Sequence, residues 1–276
     1  MKWKNRGRLP AIILAIVLLV VLLFPFFAMI STMLKGGKEV YTSPPYWIPK
    51  EPKLSNLWSV WTTYELAIYF KSSVIIALGA MALNTLITVP AAYAVARLRF
   101  AGRRAVLYLF LVIEMFSPVI VVISLFKIVA GLGLLDTYWS LIIANAVFTI
   151  AFTIWMMNGY FKSIPMEIEE AALIDGCTRV QTITKVMIPI AVPGLVTAMI
   201  YSFIYAWNEF LFGLTFIQSK PRMPLVIGLY QFVGRWTTQW ELLNAAAFWA
   251  LIPVLVLFYL IEKRLVAGLA GGAVKA

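Results

Sequence analysis

Two carboxylates, Glu114 and Glu209, stand well inside long apolar stretches of this chain. A carboxylate near the middle of a bilayer costs about 3 kcal/mol on insertion scales and is normally turned toward protein or a water-filled cavity. Glu114, Ser117, Val121 and Ser124 recur at helical spacing and form one partly polar stripe, which should face a pathway. Further along, Tyr201, Tyr205 and Asn208 recur at i, i+4 and i+7, with Trp207 and Glu209 beside them. Planar hydrogen-bonding groups next to aromatic faces suit the hydroxyls and C–H surfaces of a sugar. The other reading is a network of hydrogen bonds that holds a helix bundle together. Both readings stay open for Glu209, while Asn84 and Asn145 read as contacts between helices. The candidate pathway set is therefore Glu114, Ser117, Tyr205, Trp207, Asn208 and Glu209.

Other chemistry has little to work with. The chain has no histidine and a single cysteine, Cys177, which excludes zinc–histidine sites, histidine acid–base catalysis and an internal disulfide. No metal site and no Ser/His/Asp set can be assembled. A G-x-x-x-x-G-K-[ST] phosphate loop is missing; Gly36-Gly37-Lys38-Glu39 lacks the upstream glycine and ends in Glu. Any nucleotide must then be bound by another chain, and this one is not expected to be an enzyme.

The elements that position these residues are membrane helices. With 62% hydrophobic and 13% charged residues and a mean hydropathy of +0.90, the composition excludes an ordinary soluble domain. A bilayer core needs about 20 apolar residues in a helix, and six such runs occur, at roughly 10–34, 72–96, 105–127, 137–157, 192–217 and 243–261. The runs are continuous, whereas barrel strands would alternate over about 10 residues. An all-α, polytopic bundle of six spans follows. If the N-terminus is cytoplasmic, 14 of the 23 Lys and Arg residues fall inside, among them Lys2, Lys4, Arg6, Arg8, the Arg97–Arg104 turn, Lys162, Arg179, Lys185, Lys263, Arg264 and Lys275; N-in, C-in is the expected topology. The same bias accounts for the net charge of +11 and leaves little to suggest nucleic acid as a partner. The first apolar run exceeds the roughly 7–15 residues of a signal peptide and is expected to stay in the mature protein.

Residues 158–195 form a long polar interruption. Pro165 suits a helix start, and Glu167, Glu169 and Glu170 put negative charge near its positive end. Ala171 and Ala172 leave a low surface for a partner, and Gly176 supplies a left-handed stop before Pro189 and Pro193 lead back into the bilayer. A lipid-surface helix is the alternative, but three acids in four positions sit poorly against anionic headgroups.

Glu170-Ala171-Ala172, Asp175-Gly176 and the later Ile188-Pro189 resemble the "EAA" cytoplasmic loop of permease subunits in binding-protein-dependent ABC importers. STMLK at 31–35, GLGLLDTYWSLI at 131–142, AWNEFLF at 206–212 and VAGLAGGAVKA at 266–276 are similar to the sugar-importer branch, in particular the second permease of maltose- and trehalose-type systems. Ile188 stands where leucine commonly precedes the proline, and Cys177 where Ala or Ser is usual.

The resemblance implies a type I importer permease in a bacterial or archaeal plasma (inner) membrane: one domain over 1–276, with the first span added to a five-helix core. It implies a carbohydrate cargo, a second homologous permease, two ATPase subunits that carry ATP and Mg, and an extracytoplasmic sugar-binding protein. No cofactor would be bound by this chain itself. The loop 158–191 would couple to the ATPases through Glu169, Glu170, Ala171, Ala172, Asp175 and Gly176. Outer segment 35–71, stiffened by Pro44, Pro45, Pro49 and Pro52, would cap the pore or contact the binding protein, and 218–242, with Trp236 and Trp240, would reach toward that protein. The rival from another class is an ATP-independent secondary transporter or channel, in which Glu114 and Glu209 serve as ion sites.

Overall fold

The computed structural model describes residues 8–234 and 236–273, with side chains over 10–234 and 236–260. Lys2, Lys4, Arg6 and Lys275 lie outside the described residues, as do the side chains of Arg8, Lys263 and Arg264 and the end of the 266–276 motif. The elements are α1 (Arg8–Met33), α2 (Gly37–Val40), α3 (Ser55–Thr62), α4 (Leu66–Arg97), α5 (Arg103–Glu114), α6 (Pro118–Gly131), α7 (Tyr138–Ser163) and α8 (Met166–Ile174). There follow α9 (Arg179–Gln181), a π-helical turn (Thr182–Met187), α10 (Ile188–Ile190), α11 (Val192–Trp207), α12 (Leu211–Phe216), a 3-10 turn (Lys220–Arg222), α13 (Leu225–Tyr230) and α14 (Trp240–Ala273). Among the described residues the extended pairing is one isolated bridge, Val233 to Thr238.

Among the described residues four helices, α1, α4, α7 and α14, are long and apolar enough to cross a membrane, and the number rises to six if each of two bent pairs is one span. The first pair departs from the expected continuous 105–127 helix: α5 and α6 meet at 100°. Pro118 is the reason, since it has no N–H to continue the ladder and its ring drives Ser117 into extended geometry at φ −67° and ψ 131°. The second pair, Arg179–Ile190 with α11, bends by 86°. Here Pro189 withholds the N–H that the carbonyl of Lys185 would accept, and the ladder changes to π form before it breaks at Ala191. The expected 192–217 run also stops early, with α11 ending at Trp207 and α12 starting at Leu211.

The chain divides into two compact units. In the first, Met1–Leu66 with Leu229–Ile252, none of the apolar window of α1 is buried, which suits a helix facing lipid. Its last carbonyl and that of Lys35 just beyond it are covered by Asn56, whose Nδ2 donates to Met33 O at 2.8 Å and Lys35 O at 2.9 Å. Trp249 packs edge-on to Trp61 at 5.3 Å and donates its Nε1–H to Leu57 O at 3.1 Å. The Tyr41 hydroxyl, which donates to Thr238 O, accepts from Thr238 N and so ties residues 35–65 to the segment before α14.

Two apolar clusters lie among the described residues of the second unit, Ala67–Gly228 with Pro253–Ala276. One gathers Tyr93, Ala96, Met157, Phe161, Ile164 and Met187; the other gathers Ile76, Leu141, Phe212 and Phe216. A buried polar seam also joins α4, α7 and α11. Asn84 Nδ2 donates to Thr149 Oγ1 at 2.8 Å, Thr88 and Thr153 hydroxyls lie 2.9 Å apart, and Thr149 meets Ser202 at 3.3 Å. The reading of Asn84 as a contact between helices therefore holds. α11 approaches α7 closely because Gly194 leaves room for the Tyr160 ring; a Cβ there would lie 2.3 Å from it.

Asp136, at φ +56°, joins the turn before α7 to the segment after α12. Its Oδ1 accepts from Ser219 N at 2.9 Å, Ser219 Oγ at 2.8 Å and Gln218 N at 3.1 Å, and its Oδ2 pairs with Arg222 at 2.7 Å. The Ser219 amide leads in holding this carboxyl down at about 2, against the ordinary 3.8; burial opposes it, and the Ser219 hydroxyl, the Gln218 amide and the Arg222 charge assist. A lowered folded pKa stabilises above the unfolded value and loses that contribution as pH falls through 4 toward 2. Asp136→Asn is thus expected to cost about 1–2 kcal/mol at neutral pH. In thermal melts of the detergent-solubilised protein, the gap to wild type should close across that acid window; a gap independent of pH would refute the assignment.

Candidate functional site

Two places gather the residues singled out by sequence. The first is a cavity of about 530 Å³, at the turn from α11 into α12 and beside the start of α6. Pro118, Tyr201, Tyr205, Asn208 and Glu209 line it, with Phe210 to Phe212 closing one side. Tyr201 and Tyr205 present neighbouring rings, 6.4 Å between centroids, and Phe152 backs Tyr201 at 4.4 Å. The Tyr201 hydroxyl donates to Glu114 Oε1 at 3.5 Å, and Glu114 borders a smaller cavity of about 220 Å³ with Phe110, Phe152 and Trp155.

Glu209 resolves into a third role that neither sequence reading contained. Its two oxygens accept the backbone N–H groups of Phe212 at 2.5 Å and Gly213 at 3.0 Å, the exposed donors at the start of α12. It caps a helix while forming part of the cavity wall. Asn208 Nδ2 donates to Ile204 O at 2.8 Å. Two members of the predicted pathway set are placed elsewhere. Trp207 is 3% exposed, stacked on Phe203 and edge-on to Phe70, both at 5.6 Å, so it is core. Ser117 is the exposed residue before α6 and is absent from the cavity lining, because the Pro118 bend interrupts the stripe that began at Glu114. Tyr201 and Pro118 are lining residues outside the predicted set; the tyrosine shared the spacing of Tyr205, and the proline was legible as a helix breaker.

The second place is α8, which starts after Pro165 as expected. Its end is a Schellman turn: Gly176 at φ +84° donates to Leu173 O at 3.1 Å, and Cys177 N donates to Ala172 O at 3.0 Å. Thr178 and Gln181 then form a capping box that starts α9. The six predicted coupling residues divide between two faces. Glu170, Ala171, Asp175 and Gly176 are exposed, next to Ile174 at 84%, while Glu169 and Ala172 are buried. Glu169 accepts the Tyr93 hydroxyl at 2.5 Å and pairs with Arg97, 3.1 Å from Nε to Oε2. It belongs to the inner face because it lies one residue before Glu170, about 100° round the helix.

Trp236 is 89% exposed in a turn closed by the Val233–Thr238 bridge and by Gln239 N to Phe232 O at 2.9 Å; Trp240 opens α14 and is also exposed.

A family model described as the binding-protein-dependent transport system inner membrane component matches residues 84–270. The chain belongs to this family. It is 35% identical over 269 residues to the sulfoquinovosyl glycerol transport system permease protein SmoH of Agrobacterium fabrum, covering 98% of this chain and 94% of that protein. It is 33% identical over 275 residues to the trehalose/maltose transport system permease protein MalG of Thermococcus litoralis, covering 97% of each. In fold it matches a chain of a bacterial ABC transporter involved in the import of the acidic polysaccharide alginate, with TM-score 0.81 at 23% identity over 95% of this chain and 98% of that one. Family members are transport components, and this one is a multi-pass membrane permease.

Two outcomes follow from the local geometry. Glu209→Ala deletes both acceptors at the start of α12 and should cost about 1 kcal/mol, whereas Glu209→Gln keeps one acceptor and should melt closer to wild type; equal melting of the two variants would remove the cap from the argument. Gly176→Ala forces a Cβ into left-handed geometry at a cost of about 1–2 kcal/mol. Gly176→Asn should be milder, and limited proteolysis of the α8–α9 turn would rank the two.

Proposed function

We propose that the chain is a transmembrane subunit of an ATP-driven importer for a carbohydrate, a di- or oligosaccharide such as maltose or trehalose. The observation that carries this reading is the near full-length similarity to permeases whose names specify trehalose/maltose and sulfoquinovosyl glycerol. The cavity wall supports it chemically. Tyrosine faces suit sugar C–H surfaces, and the Asn208 amide and Tyr201 and Tyr205 hydroxyls suit sugar hydroxyls.

In this reading the whole chain acts as one permease domain of six spans, each bent pair counting as one, with both ends in the cytoplasm. It forms half the translocation pathway with a second, homologous permease. Two ATPase subunits bind ATP and Mg, since this chain has no phosphate loop, and dock on the exposed face of α8 within the 158–191 loop. An extracytoplasmic binding protein delivers the sugar to the outer loops 35–71 and 218–242, with Trp236 as the most exposed contact. Nucleotide-driven closure of the ATPases displaces α8, and the spans around the cavity turn it from one side of the membrane to the other.

Reconstitution tests this directly. Proteoliposomes holding the chain with its partner permease, ATPase subunits and binding protein should take up labelled maltose or trehalose only when ATP is supplied on the ATPase side. Uptake by the chain alone, driven by an ion gradient and indifferent to ATP, would replace the importer reading by a secondary transporter using Glu114 and Glu209.

A further inference from the structure

Glu169 and Glu170 are neighbours in sequence, yet only Glu170 faces outward. The inner carboxylate meets two residues one turn apart at the C-terminal end of α4, Tyr93 and Arg97, so a single helix face supplies both partners. Arg97 does more than pair with Glu169. Its Nη2 donates to Ile164 O at 2.5 Å and its Nη1 contacts the Met166 sulfur at 3.0 Å, which are the residues that lead from α7 into α8. One guanidinium, with its side chain 5% exposed, thus holds both the entry and the body of α8.

The backbone on either side of α8 is poorly suited to pass on a force. Helical geometry is lost at Ile164 and Pro165, with ψ of 128° and 143°, and lost again at left-handed Gly176. No continuous helix runs from α8 into a span. Its inner face makes the remaining contacts: Ala172 is buried there, Glu169 is paired with Arg97, and the π-helical turn Thr182–Met187 lies against the helix. Pulling α8 away from α4 would strand two opposite charges beside the apolar cluster of Ala96, Phe161, Ile164 and Met187, a separation that strongly disfavours independent movement.

The geometry points to the Arg97–Glu169 ion pair, backed by Tyr93, as the link through which displacement of α8 is passed into α4. These are positioning residues for transport, and the inference rests on the importer reading above. Glu170, Ala171 and Ile174 would meet the ATPase on one face of α8 while Glu169 carries the movement from the other.

The test uses the assembled complex in proteoliposomes, with Cys177→Ser to remove the native thiol and Val119→Cys as a reporter at the cavity wall. Labelling by a water-soluble maleimide is compared without nucleotide and after trapping with ATP and vanadate. In the parent the two rates should differ. Glu169→Gln, which loses the ion pair, should still assemble and hydrolyse ATP while the nucleotide-driven difference shrinks by about fivefold or more. Arg97→Lys, which keeps the charge, should retain more of the difference than Arg97→Gln. If Glu169→Gln does not assemble, Tyr93→Phe, which removes one hydroxyl, decides the matter through a smaller loss of the same kind. An unchanged difference in the assembled Glu169→Gln complex, or in Tyr93→Phe where that variant decides, overturns the link. A parent complex with no nucleotide-driven difference instead overturns the importer reading and not the link alone.

Discussion

A bilayer core offers no hydrogen-bond partners, so every place where a helix stops inside it must satisfy its own backbone groups. In the second unit helices stop at Glu114, Trp207 and Phe216, and the way each stop is answered organises the unit. At the end of α5 the amides of Met115 and Phe116 turn back to Val112 and Ile113 before Pro118, which has no N–H to satisfy, opens α6. At the end of α11 the carboxylate of Glu209 collects two amides of α12, and beyond α12 the carboxylate of Asp136 collects those of Gln218 and Ser219. The segment from 209 to 219 is therefore held at both ends by acids that accept backbone N–H groups. The cavity sits where α11 gives way to α12, beside the start of α6, and irregular backbone is tolerated there because protein surrounds it or water reaches it.

The same economy appears at the other end of the unit. α8 is short, bounded by Pro165 and Gly176, and fastened by its inner face to α4. Its outer face keeps an acid, a small residue and an exposed isoleucine, which suits a protein partner better than lipid headgroups. α4 itself connects the two regions: near Arg97 it holds α8, and at Asn84 and Thr88 it joins the polar seam that reaches Ser202 on α11. That seam, together with the Gly194–Tyr160 contact, gives α11 and its cavity wall a packed route to α7 and α4.

Much of this was legible from the residues. Hydropathy located α1, α4, α7 and α14 because long apolar runs have few other uses, and Gly176 announced its left-handed turn because a hard stop after Ala171 and Ala172 needs a residue without a Cβ. Less legible was direction. Apolar content between 105 and 127 is continuous whether the helix runs straight or bends by 100°, and only Ser117-Pro118 carried the signal. Facing was hidden as well. Glu169 and Glu170 are the same residue type at adjacent positions, and which of them turns inward depends on Tyr93 and Arg97, some seventy residues earlier. Trp207 read as a sugar contact from its neighbours Asn208 and Glu209, but its place on the helix directs it to Phe70 and Phe203.

The proposed division of α8 into an outer face that would receive the ATPase and an inner face paired with α4 is open to direct chemical capture. A photoactivatable maleimide on Ala171→Cys or Ile174→Cys, in a Cys177→Ser background, should cross-link to an ATPase subunit when the assembled complex is irradiated. The same probe on Tyr108→Cys, an exposed position on α5, serves as the control and should capture lipid alone. Adducts to the ATPase from both α8 positions and none from α5 are the expected result. Lipid adducts alone from positions 171 and 174 of an assembled, ATP-hydrolysing complex would contradict it.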